Sequence, residues 1–254
     1  MSRQKLVMAN WKMHGSQAEN AALADAFLAG WPKEAADRVQ TAICPPFVYL
    51  PQIAARLSGS PVAWGAQDVS VHAQGAFTGE VAASMLADLG CRYVLVGHSE
   101  RRALHGETDD LVAQKFVAAQ GAGLVPVLCL GENLAEREAG QTLDVVFRQL
   151  DAVLQAAGAQ AFAQAVIAYE PVWAIGTGKT ATAEEAQAVH AALRERLQAA
   201  GAAASAIQIL YGGSVKPGNA AELFGQPDID GGLIGGAALV ASDFLAVCTA
   251  ALQG

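Results

Sequence analysis

Short apolar runs alternate with longer amphipathic stretches from one end of this chain to the other. The runs cover residues 6–9, 39–44, 62–64, 93–96, 124–130, 165–169, 207–211 and 231–234. They are continuous rather than strictly alternating, as strands are when both faces of a parallel sheet are covered. The stretches 17–29, 47–57, 80–89, 108–120, 143–157, 182–200, 217–223 and 243–252 between them predict helices. In 182–200, Ala186, Val189, Leu193 and Leu197 recur on one helical face. Thr108 before Asp109 and Asp110 reads as an N-cap with an acidic first turn, and Thr182-Ala183-Glu184-Glu185 as a capping box.

Eight strand-then-helix units in 254 residues predict an α/β protein. The expected form is a single (β/α)8 TIM barrel, eight parallel strands ringed by helices, filling 1–254 as one catalytic domain. An open doubly wound sheet is the alternative, weakened because no GxGxxG opens a first βαβ unit. Pro126 conflicts with a central strand and is placed near that strand's start.

Composition adds limits. Hydrophobic residues make up 53% of the chain and charged ones 16%, enough apolar volume for a large core and too much for disorder. The net charge of −8 argues against nucleic acid and anionic membrane surfaces, so an anionic ligand must be held by local N–H groups and one or two cations. Cys44, Cys91, Cys129 and Cys248 form no CxxC pair and no metal-ligand spacing with histidine, and read as buried thiols of a cytoplasmic protein. The start, Met1-Ser2-Arg3-Gln4-Lys5, lacks the apolar run of a signal peptide. Two uncharged stretches, 152–169 and 197–215, are interrupted by glutamines and glycines and read as helix end plus strand, not membrane spans.

In a barrel of this kind the chemistry lies where strands end and loops begin. The sixth run leads into Tyr169-Glu170-Pro171-Val172-Trp173-Ala174-Ile175-Gly176-Thr177-Gly178-Lys179-Thr180. Pro171 stops the extended run at Glu170, putting a carboxylate under an apolar loop with a glycine-rich tip, the arrangement of a general base beneath a lid. The first run ends in Asn10-Trp11-Lys12-Met13-His14-Gly15-Ser16, which brings an amide and an ammonium to the rim. The fourth ends in Gly97-His98-Ser99-Glu100-Arg101-Arg102, with His98 on the rim and Ser99 a candidate cap. Gly212-Gly213-Ser214 and Gly235-Gly236 after the seventh and eighth runs let backbone N–H groups converge on an anion. No metal pattern includes His98 or His105.

These segments together resemble the triosephosphate isomerase family, from about Lys5 onward. The resemblance implies that Glu170 is the proton acceptor moving a proton between C1 and C2 of a phosphorylated triose. It implies that His98 is the electrophile polarising the carbonyl, and that Lys12 lies near the phosphate and the developing enediolate. By the same resemblance Asn10 would contact substrate, Gly176, Ser214, Gly235 and Gly236 would hold phosphate, and Glu100 would stand beside Lys12 and His98. Residues Pro171, Val172, Trp173, Ala174, Ile175, Gly176, Thr177, Gly178 and Lys179 form the lid. No cofactor or metal is implied. The long connection from Gln67 to Glu80, with Phe77 and Thr78, implies a homodimer in which it docks into the twin subunit. His14 and Asp68 depart from common family residues near that contact.

Two other readings stay open. A different phosphate-binding barrel enzyme would want a Schiff-base lysine inside the barrel or paired His and Asp metal ligands, and neither pattern occurs. A non-catalytic phosphosugar-binding protein would have little use for Glu170, His98 and Lys12 under one lid.

Overall fold

The computed structural model of the protein describes residues 3–175 and 181–253. Every predicted run becomes a strand: β1 (Lys5–Asn10), β2 (Val39–Cys44), β3 (Ala63–Ala66), β4 (Tyr93–Val96), β5 (Val125–Leu130), β6 (Val166–Tyr169), β7 (Gln208–Tyr211) and β8 (Gly231–Ile234). Neighbours pair in parallel in sequence order, and β8 returns to β1 with Leu6 opposite Gly231 and Ala9 opposite Ile234, so the barrel is closed. The open-sheet alternative is thereby excluded. Pro126 occupies the second position of β5, near its start as expected, and faces Val94 of β4.

Side chains alternate along each strand between two cores. Leu6, Met8, Cys44, Leu95, Val127, Cys129 and Leu210 fill the barrel interior. Val7, Ala9, Ile43, Val94, Val96, Leu128 and Ile209 pack outward against the helices. Continuous apolar runs are the consequence, since neither strand face meets water.

The helix boundaries follow the expected ones within a few residues, with three differences. The 47–57 stretch divides into a 3-10 turn, Phe47–Tyr49, and a helix, Leu50–Leu57, with Pro51 in its first turn. The 80–89 stretch is helical only over Ala83–Asp88. Two short helices, Ser99–His105 and Leu134–Glu138, were not foreseen. Thr182 closes its capping box with Glu185, as the sequence predicts. Among the described residues no helix is long and apolar enough to cross a membrane.

Candidate active site

Asn10, Lys12, His98, Glu170, Ser214, Gly235 and Gly236 all border one cavity of about 490 Å³ at the mouth where the strands end. His98 reaches it because Gly97, at φ +71, turns the chain sharply after β4. A side chain on Gly97 would also collide with Val112, 2.7 Å from the added carbon. Glu170 follows β6 directly, its N–H donating to the Leu130 carbonyl at 2.8 Å. Gly212 lets the next strand end come close: a Cβ there would lie 2.8 Å from Glu170 Cγ.

The carboxylate of Glu170 is almost fully buried. Its Oε1 lies 2.9 Å from His98 Nε2, and its Oε2 accepts the Ser99 N–H at 2.9 Å. Burial opposes charge on both groups, and the partners override it. His98 and the Ser99 N–H hold Glu170 below the usual carboxylate range, while Glu170 raises the affinity of His98 for a second proton. Only Nδ1 could take that proton, and Nδ1 already accepts the Glu100 N–H at 3.2 Å. The hydrogen-bond network therefore assigns a neutral ring with its single proton on Nε2, aimed at Glu170. His98, not Ser99, is thus the N-cap of the helix Ser99–His105; Ser99 is its first residue and offers Glu170 a backbone donor.

Lys12 is the one non-glycine residue with positive φ among the described residues, at +51. Two groups hold this strained turn: Asn10 Oδ1 accepts the Lys12 N–H at 3.1 Å, and Gln67 Nε2 donates to the Lys12 carbonyl at 2.9 Å. Its ammonium pairs with Glu100 Oε1 at 2.5 Å. Gln67 is a part of the site that sequence reading missed. It opens a long loop, and nothing in its neighbourhood signals that its amide turns back across the barrel rim.

Bordering the same cavity, the backbone N–H groups of Gly213, Ser214 and Gly235 donate to no protein acceptor among the described residues. Free N–H groups converging on a cavity suit an oxyanion. The first half of the lid is also in view. Pro171 leads into a 3-10 turn, Val172–Ala174, and Ile175 borders the cavity. Trp173 Nε1 donates to Glu132 at 2.9 Å, Tyr169 donates its hydroxyl to the same carboxylate, and Arg137 lies 4.2 Å over the indole ring. Glu132, fully buried just past β5, was also missed; its signal is an acid directly after a buried strand and before the Asn133 cap. The lid residues Gly176, Thr177, Gly178 and Lys179 lie outside the described residues.

Phe77 and Thr78 do not join this constellation. They sit on an exposed segment, with Phe77 stacked on His72 at 3.5 Å. The root of that segment is anchored: Asp68 pairs with Lys115 at 2.6 Å and Arg101 at 2.8 Å. Burial pushes the Asp68 carboxyl up against the pull of these cations. His14, by contrast, is exposed and borders the cavity. Among the described residues no group of three or more His, Cys, Asp or Glu is placed to hold a metal ion.

Residues 5–251 match the family model described as triosephosphate isomerase. Similar proteins of that name include one from Thiobacillus denitrificans, 63% identical over 252 residues covering 99% of this chain and 100% of that protein. One from Dechloromonas aromatica is 64% identical over 250 residues, 98% of this chain and 99% of its own length. One from Cupriavidus taiwanensis is 63% identical over 246 residues, 96% and 98% respectively.

Proposed function

The chain belongs to the triosephosphate isomerase family, and we propose that Glu170, His98 and Lys12 carry its reaction at the cavity described above. The enzyme is an intramolecular oxidoreductase, an aldose–ketose isomerase interconverting D-glyceraldehyde 3-phosphate and dihydroxyacetone phosphate in glycolysis and gluconeogenesis. The observation that carries the residue assignment is the 2.9 Å contact between Glu170 and the protonated nitrogen of His98 beside a cavity rimmed by free backbone N–H groups.

In this reading the phosphate rests on the N–H groups of Ser214, Gly235 and Gly236, with Gly176 added from the lid. That fixes the three-carbon chain against the base and the electrophile. Glu170 turns from Ser99 toward the substrate, removes the proton from one carbon and returns it to its neighbour. The Nε2–H of His98 donates to the carbonyl oxygen as negative charge builds there, and then exchanges protons between the two oxygens. Lys12 supplies a positive charge to the enediolate and the phosphate, and Asn10 contacts substrate. Glu100 holds the ammonium of Lys12 in place. Trp173 and Ile175 keep water from an intermediate that otherwise loses phosphate. No cofactor or metal enters the scheme, and the whole chain works as one barrel domain in the cytoplasm.

The test is conversion of glyceraldehyde 3-phosphate by the purified protein, coupled to reduction of the ketose product. Lys12→Ala should lower kcat/KM by about 10²–10³-fold, the usual loss when a preorganised charge leaves a transition state. Wild-type kinetics in that variant would remove Lys12 from the site.

The assembly belongs to the same proposal. The exposed segment carrying Phe77 and Thr78, rooted between Gln67 and Glu80, docks into a twin subunit. A second cavity of about 490 Å³, bordered by Met13, Gln67, Glu100 and Leu104, is the receiving surface. Met13 is 93% exposed and Leu104 77%, an apolar surface that a partner would cover. Thr78→Arg is expected to shift sedimentation from dimer toward monomer and lower activity with it; an unchanged dimer would overturn this docking.

A further inference from the structure

The cavity has a second charged edge that the scheme above does not use. Lys216 and Asp243 border it on the side of Ser214, Gly235 and Gly236. Asn219 fixes the backbone there, its Oδ1 accepting the Lys216 N–H at 2.8 Å and its Nδ2 donating to the Ser214 carbonyl at 3.1 Å. Lys216 is therefore held two residues from Ser214. No carboxylate lies within ion-pair distance of its ammonium among the described residues.

The charge of the approach makes this cation consequential. The protein carries −8, and the substrate's phosphate is a dianion near neutral pH. Glu170 and Asp243 border the cavity, and Glu100 occupies the ammonium of Lys12 at 2.5 Å. Two carboxylates thus border the path of an incoming dianion, a third neutralises Lys12, and of the two lysines on the described cavity wall Lys216 is the one without a counter-ion. A low-dielectric cleft focuses such local charges more strongly than the distant net charge, which salt screens within about 10 Å.

We propose that Lys216 is a specificity-determining residue for phosphorylated substrate: it draws the dianion to the backbone cradle, and Asp243 opposes it. The pair sets the rate of capture, not the rate of proton transfer. Asp243 also sits in the first turn of the helix Ala241–Ala250, where an acid stabilises the helix end, so a purely structural role must be told apart.

This inference rests on the phosphate-cradle reading, and the experiment separates them. Lys216→Gln is expected to lower kcat/KM for glyceraldehyde 3-phosphate roughly three- to ten-fold at low ionic strength, up to the lower limit of what a whole steering field supplies, since one charge of several is removed. The loss should appear in KM with kcat held, and shrink toward parity at high salt. Lys216→Arg should restore the wild-type value, and Asp243→Asn should raise kcat/KM at low salt. Glyceraldehyde without its phosphate should turn over equally in all variants. A salt-independent loss, a loss in kcat, or an equal effect on glyceraldehyde overturns the role of Lys216. Inorganic phosphate is the control: failure to compete with substrate in the wild type sinks the cradle itself. Competition with unchanged Lys216→Gln kinetics sinks only the steering.

Discussion

Replacing Glu170 by glutamine should lower turnover by about 10²–10⁴-fold, the range that a positioned general base contributes. The substitution keeps the shape of a side chain that is almost wholly buried, so the barrel should fold as before. It removes the proton acceptor and the negative charge that faces His98 Nε2 at 2.9 Å. The amide oxygen can still accept the Ser99 N–H, but the amide NH2 then faces the Nε2–H of His98, so one of the two resting contacts is lost. Competition by inorganic phosphate should stay close to wild type, because the cradle on Ser214, Gly235 and Gly236 is untouched. Steady-state kinetics with a phosphate-inhibition series reads both quantities. Turnover within a few-fold of wild type would defeat the assignment of Glu170 as base.

The second large effect lies at the opposite end of the barrel. Arg194, on the helix Ala183–Ala199, donates to Asp228 Oδ1 at 2.6 Å, to Asp230 Oδ2 at 2.7 Å, and to the carbonyls of Ala204 and Ile207 at 2.6 and 2.9 Å. It ties that helix to the chain entering β7 and β8. The Asp230 side chain is only 3% exposed. Arg194→Ala leaves that carboxylate with Arg3 and the Ile209 N–H, and takes a charged donor from the carbonyls of Ala204 and Ile207. Removing one partner of a buried ion pair costs about 3–5 kcal/mol. Arg194→Lys should recover only part, since an ammonium cannot reproduce the guanidinium's spread of donors. Denaturant unfolding at fixed protein concentration measures the loss; less than about 1 kcal/mol would contradict the estimate. Catalysis by the folded variant should persist, because the cavity is at the other mouth.

The same network gives an acid dependence with a definite sign. Burial raises the Asp228 carboxyl, but Gln187 and Arg194 outweigh it and hold it below the usual range. Its stabilising contribution is complete above the unfolded pKa of about 3.9 and fades as pH falls through the lower folded value. Arg194→Ala should flatten that part of the stability profile.

The sequence by itself determined the eight strands, their alternation with helices and the strand-end location of Glu170, while the pairing of β8 with β1 decided that the sheet closes. Strands covered on both faces must be apolar without interruption, and Pro171 marks where one of them stops. It also carried His98, Lys12 and the glycine pairs, because each lies a fixed, short distance past a legible strand. Tertiary structure alone decided the rest. The helices Ser99–His105 and Leu134–Glu138 are too short to show a helical period, and they exist because their ends are capped by His98 and Asn133. Gln67 gripping Lys12 and Glu132 gripping Trp173 join residues 55 and 41 positions apart, and no local pattern encodes such a span. The tautomer of His98 likewise depends on a backbone N–H that points at Nδ1 only once the chain has turned after Gly97. Periodicity reports which face of an element is buried; the partner that a polar side chain finds is set by the packing of elements distant in the chain.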